Sequence, residues 1–132
     1  RGPGRRPSAG GGRLMVEPAY LVGAGASVGA VLRYATAQYV NGVAGERSFP
    51  YATFTVNVVG SFVLALVTFL GTGTDLLLLV GTGACGSYTT FSSFSVDTVR
   101  LWESGDRRLA AGYALANLLG ALAGIGAAAL VA

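Results

Sequence analysis

Histidine and lysine are absent from this sequence, and cysteine occurs once, as Cys85. Without histidine, the commonest general base and metal ligand is missing. A single cysteine permits neither an intrachain disulfide nor a cysteine-rich metal site. Charge is the larger deficit. Charged residues make up 11% of the 132 positions, where a soluble domain carries about 25%. The glycines form no phosphate-binding or dinucleotide-binding loop, because they sit inside apolar stretches and not after a soluble strand. The net charge of +3 comes largely from Arg1, Arg5, Arg6 and Arg13 near the N-terminus. A nucleic-acid partner needs a folded basic face, so none is expected here. The absences together exclude most enzyme chemistries and point to lipid as the solvent.

What is present is apolar and evenly partitioned, with 52% of residues hydrophobic. Arg33 is the one charge between Glu17 and Glu46. No charge lies between Arg47 and Asp75, between Asp75 and Asp97, or after Arg108. Each interval can hold a helix of about 20 apolar residues, enough to cross the hydrocarbon core. The expectation is an all-α membrane protein with four transmembrane helices. Residues 1–17, rich in Gly, Pro and Arg, are expected to be a disordered tail, and residues 18–132 the transmembrane unit. The first helix is expected to open at Pro18 and run to about Val40, the second to span Tyr51 to Leu70, the third Leu76 to about Trp102, and the fourth Leu109 to about Val131.

Two features bear on assembly. Gly25 and Gly29 in the first helix, and Gly120 and Gly124 in the fourth, recur at four-residue spacing. In lipid no hydrophobic force drives helices together, so such faces pack by close backbone approach, within the chain or against a second subunit. Arginine is also nearly balanced across the membrane. The tail supplies four to one side, and Arg47, Arg100, Arg107 and Arg108 lie on the other. A chain without a positive-inside bias can insert both ways, which supplies the partners for an antiparallel dimer.

Polar groups at membrane depth are the candidate functional residues. Arg33 is either a snorkelling anchor or a fixed charge drawing anions into a vestibule, and Asp97 is its nearest potential acidic partner. Asn57, in TFTVNVVGS, either makes an interhelical hydrogen bond or turns its NH2 towards an anion. The third segment reads GTGACGSYTTFSSFS over residues 81–95. Glycines followed by six hydroxyl residues make poor material for an unbroken spanning helix. A break is expected at Gly86 to Thr89, with Gly86 supplying backbone freedom and Ser87 or Thr89 capping the second half. A broken helix offers carbonyls to a cation at one end and N–H groups to an anion at the other. Phe91 and Phe94 share a face of that second half. They are either core packing or ring edges that attract an anion without trapping it.

TFTVNVVGSF (residues 53–62) and GACGSYTTFSSFSVDTV (residues 83–99) closely resemble two signature segments of Fluc-type fluoride channels, the family also called CrcB. GAGASVGAVLRY (residues 23–34) resembles that family's first-helix motif. The resemblance covers residues 19–131. It implies a passive fluoride channel of the bacterial plasma membrane, an antiparallel dual-topology dimer with two fluoride pores, and no enzymatic activity. It also implies that Asn57 is the pore amide, that Phe91 and Phe94 are the pore aromatic pair, and that Thr90, Ser93 and Tyr113 lie in or beside the pore. Arg33 would charge the vestibule. The backbone carbonyls of Gly86 and Thr89 would hold a central structural sodium ion shared with the partner chain. Ser87 stands where the family usually has Gly, and Asn117 and Ala121 stand where small hydroxyl residues are expected. The partner is accordingly either a second copy or a paired homologous chain. A four-helix proton-coupled exporter of cationic drugs needs an acid inside the first helix, and residues 19–40 contain none. A non-conducting accessory subunit would not need so polar a third helix.

Overall fold

The computed structural model describes residues 2, 4 and 11–132. Of the expected disordered tail, residues 1, 3 and 5–10 lie outside these residues, whereas residues 11–17 are helical. The described residues contain no strand. Five helices follow in order: α1 (Gly11–Ala44), α2 (Tyr51–Phe69), α3 (residues 74–88), α4 (Phe91–Glu103) and α5 (Arg107–Val131). Helix α1 begins well before Pro18, which lies inside it. The proline ring removes one N–H from the helix, a loss the neighbouring turns absorb. Helices α1, α2 and α4 each end next to a glycine with positive φ: Gly45 at 65°, Gly71 at 62° and Gly105 at 94°. This left-handed conformation turns the chain and satisfies the last carbonyls, and glycine adopts it without a Cβ clash. Asp106 caps α5 by accepting from the Leu109 N–H at 3.2 Å.

The third segment is two helices with an extended joint. Helix α3 opens with an α-turn at Thr74–Leu76, widens into a π-helix over Leu77–Cys85, and closes with an α-turn at Gly86–Tyr88. Thr89 (φ −77°, ψ 159°) and Thr90 (φ −149°, ψ 115°) are both extended, and α4 begins at Phe91. The break therefore falls at the C-terminal end of the expected segment, at Thr89, and extends one residue past it. Gly86 is helical (φ −61°, ψ −35°), so its backbone freedom is not what breaks the helix. Nor do Ser87 and Thr89 cap the second half. That cap is Thr90, whose Oγ1 accepts from the Ser93 N–H at 3.1 Å. Thr89 Oγ1 points back to the Cys85 carbonyl.

Close backbone packing organises the rest. Helix α1 lies along α3, and α2 along α5. A Cβ on Gly25 would strike the Leu79 carbonyl oxygen, and one on Gly29 the Ala84 carbonyl and the Ser87 hydroxyl. On the facing helix, a Cβ on Gly83 would lie 2.6 Å from the Val22 oxygen. The Gly120–Gly124 face packs on Phe54, Val58 and Phe62 of α2 in the same way. Both small-residue faces are thus filled within the chain, so they are not the surface offered to a second subunit.

The molecule is inverted relative to a soluble domain. Among the described residues the buried apolar side chains are mostly small, including Ala65, Cys85, Ala110 and Ala128, and the largest fully enclosed are Tyr113 and Val56. Leu118, Leu119, Leu122 and Leu130 face outward. Helices α2 and α5 are long and apolar enough to cross a membrane. Small residues inside and large aliphatic ones outside are what lipid selects, since lipid solvates leucine as well as a core does.

Candidate functional site: the broken helix and its amide clasp

Thr90, the second residue of the joint between α3 and α4, is held through its backbone by one side chain. Asn57 projects from the middle of α2 and grips Thr90 from both ends. Its Oδ1 accepts from the Thr90 N–H at 2.8 Å, and its Nδ2 donates to the Thr90 carbonyl at 3.2 Å. A carboxamide carries both an acceptor and donors, so it can replace the helical partners that an extended residue gives up. In an unbroken helix the Thr90 N–H would bond to the Gly86 carbonyl. With that N–H turned to Asn57, the Gly86 oxygen is released. Gly60, one turn on from Val56 in α2, lets Thr89 approach, since a Cβ there would collide with Thr89 Cγ2.

Asn57 also reaches α5. Its Nδ2 donates to Asn117 Oδ1 at 3.1 Å, and Asn117 Nδ2 donates to the Tyr113 carbonyl at 3.0 Å. Of the two readings left open for Asn57, the structure displays the interhelical bond. Both its donors are engaged.

Two cavities meet at this clasp. The larger, about 680 Å³, is lined by Asn57, Thr89, Thr90, Phe91, Phe94, Asn117 and Ala121, with Gly81, Cys85 and Gly86 across from them. The rings of Phe91 and Phe94 are 5.6 Å apart and tilted at 42°. Phe91 is 79% exposed, so it is not core packing within this chain. The smaller cavity, about 310 Å³, is lined by Arg33, Tyr34, Thr53, Thr90 and Ser93. Thr90 borders both. Its Oγ1 sits 3.2 Å from both Ser92 Oγ and Ser93 Oγ, forming a hydroxyl cluster at the start of α4.

Arg33 donates to the Thr89 carbonyl at 3.4 Å. It is half-buried beside the smaller cavity and does not pair with Asp97. Asp97 instead accepts from Thr53 Oγ1 at 2.9 Å and from the Tyr113 hydroxyl at 3.2 Å. Two neutral donors thus hold the acid on the α2–α5 side. Tyr113 is fully buried. Its ring stacks on Phe94 at 5.7 Å and meets Phe49 edge-on at 5.4 Å, so it backs the aromatic pair from behind the larger cavity.

Asn57, Thr90, Phe91, Phe94, Ser93, Tyr113 and Arg33 therefore gather around one break, with Gly86 and Thr89 on its α3 side. The sequence reading missed Thr53 and Asp97 as the anchor for Tyr113, Phe49 as part of the aromatic column, and Asn117 as the partner of Asn57. The i, i+4 spacing of Tyr113 and Asn117 was the available signal for the last of these.

The fold and the site define a class: a helical membrane-type protein whose interrupted helix exposes backbone, hydroxyls and aromatic rings to an open cavity. Residues 20–129 match the family described as CrcB-like protein, Camphor Resistance. The chain belongs to this family. It is similar to proteins named fluoride-specific ion channel from three organisms. With FluC 2 of Haloarcula marismortui it is 56% identical, over 86% of this chain and 92% of the relative. With FluC 1 of Halobacterium salinarum it is 51% identical, over 81% and 87%. With FluC of Gloeobacter violaceus it is 42% identical, over 83% and 90%.

Proposed function

We propose that this chain forms a fluoride-selective channel that exports cytoplasmic fluoride across the bacterial plasma membrane passively, down its electrochemical gradient. The observation that carries the reading is the extended joint at Thr89–Thr90, opening on a cavity that also holds Phe91 and Phe94. A small anion must lose water to cross and must also be released. Hydroxyls and the positive edges of phenyl rings attract it without the depth of a cationic site. Asn57, Ser93, Thr90, Phe91 and Phe94 are the contacts assigned to it, with Tyr113 beside them holding Phe94 in place and Arg33 raising the anion concentration in the smaller cavity. No bond is made or broken in the process. Relatives that bear the name of fluoride channels support the same ion.

In this reading the chain crosses the membrane four times, with α1, α2, the α3–α4 pair and α5 as the spans. It assembles as an antiparallel dual-topology dimer, with a second copy or a paired homologous chain. The near balance of arginines on the two sides supports insertion both ways. The Gly86 and Thr89 carbonyls are assigned to a structural sodium ion at the dimer centre. Both are neutral hard oxygens: the clasp frees the Gly86 carbonyl, and the Thr89 carbonyl has a second lone pair beside the 3.4 Å bond from Arg33. Gly86 is exposed, and a Cβ there would meet nothing within 4 Å, which leaves room for a partner's approach. Such an ion would neutralise carbonyl dipoles gathered at the centre.

The test is efflux from liposomes loaded with fluoride or chloride, using the purified full chain. Fluoride release with chloride retained is expected. The double variant Phe91→Leu, Phe94→Leu should lose fluoride release while still eluting as an assembled species. Equal release of both ions, or normal fluoride release by the double variant, overturns the proposal. Release only after a homologous chain is added identifies the paired-chain form.

A further inference from the structure

The orientation of the Asn57 and Asn117 amides follows from their partners. The Thr90 N–H can only donate, so it draws Asn57 Oδ1. That turns Asn57 Nδ2 to two acceptors, the Thr90 carbonyl and Asn117 Oδ1. Asn117 Nδ2 then faces the Tyr113 carbonyl, which can only accept. An anion in the larger cavity therefore finds neither N–H of Asn57 free, although Asn57 and Asn117 both line that cavity. The two acceptors differ in kind. The Thr90 carbonyl belongs to the joint, and losing its bond would loosen the backbone. Asn117 Oδ1 ends a rotatable side chain on a separate helix, and side-chain rotation alone removes it.

We propose that Asn117 is a specificity-determining residue that acts as a competitive brake: its amide oxygen occupies the Asn57 N–H that a small anion must take, and the anion binds by displacing it. This rests on the fluoride-channel reading. A compact anion concentrates its charge and is a stronger acceptor than a neutral amide oxygen, so it makes the exchange. A large, diffuse anion gains less and leaves the amide pair closed.

The experiment measures the half-saturating fluoride concentration for efflux from liposomes, for the full-length wild type, Asn117→Ala and Asn117→Ser. Removing the competing acceptor should lower that concentration about fivefold, the equivalent of one net hydrogen bond of roughly 1 kcal/mol. Asn117→Ser should fall between Asn117→Ala and wild type. A packing role alone would lower the yield and the maximal rate and leave half-saturation in place. If the wild type conducts and half-saturation is unchanged or raised in both variants, the brake is overturned and the channel reading stands. Failure of both variants to fold would assign Asn117 to the scaffold and also overturn the brake. A wild type that passes no fluoride overturns the channel reading, and the brake with it.

Discussion

Replacing Asn57 with alanine tests how far one side chain sets the shape of the joint between α3 and α4. Thr90 is 8% exposed, and Asn57 satisfies both its N–H and its carbonyl. Each buried backbone group left without a partner costs about 1–3 kcal/mol, so the two together predict a loss of about 2–6 kcal/mol. The lower end applies if the freed Thr90 N–H swings to the Gly86 carbonyl and the helix partly re-forms through the joint. The Asn117 amide also loses its donor, which adds to the cost. The assay is unfolding of the purified protein in mixed micelles by titration with a denaturing detergent, followed by far-ultraviolet circular dichroism. Thr55→Ala is the control. That hydroxyl bonds only to the Tyr51 carbonyl of its own helix, at 2.8 Å, so the change should stay within about 0.5 kcal/mol of wild type. An Asn57→Ala protein as stable as the control would refute the clasp, because it would mean the extended joint holds itself open.

Tyr113→Phe removes one of the two donors to Asp97 and should cost about 1.5–3 kcal/mol in the same unfolding assay, since the acceptor is a carboxylate. The glycines give a matched pair. Gly29→Ala drives a methyl group into the Ala84 carbonyl and should destabilise by about 1–3 kcal/mol. Gly112→Ala points into open space and should stabilise by about 0.5–1 kcal/mol, because it relieves the entropic cost of a helical glycine. Arg33→Gln should slow fluoride entry most at low ionic strength. The difference from wild type should shrink as salt shortens the Debye length from about 30 Å at 0.01 M to about 3 Å at 1 M, and a difference independent of salt would argue for a purely structural Arg33.

Some of this was legible in the sequence because it depends on solvent and on local chain chemistry. The charge-free intervals mark the middles of the helices, since lipid excludes charges, although α1 starts earlier, at Gly11, and α4 runs on through Asp97 and Arg100. The cluster of glycine and hydroxyl residues marks the interrupted span, because such residues give a helix little support in hydrocarbon. The motifs TFTVNVVGSF and TTFSSFS mark the family. Other features depend on which helices meet. The break sits at Thr89–Thr90 and not at Gly86, because the partner that opens the backbone, Asn57, comes from another helix and grips Thr90. Asp97 is held by Thr53 and Tyr113 and not by Arg33, a choice among donors that only the packing of α1, α2, α4 and α5 can make. The glycine faces are used inside the chain, although their spacing suits a second subunit equally well. Sequence determined the solvent, the spans and the polar material; tertiary structure decided which polar groups satisfy one another, because hydrogen bonds between helices are set by distances that no single helix contains.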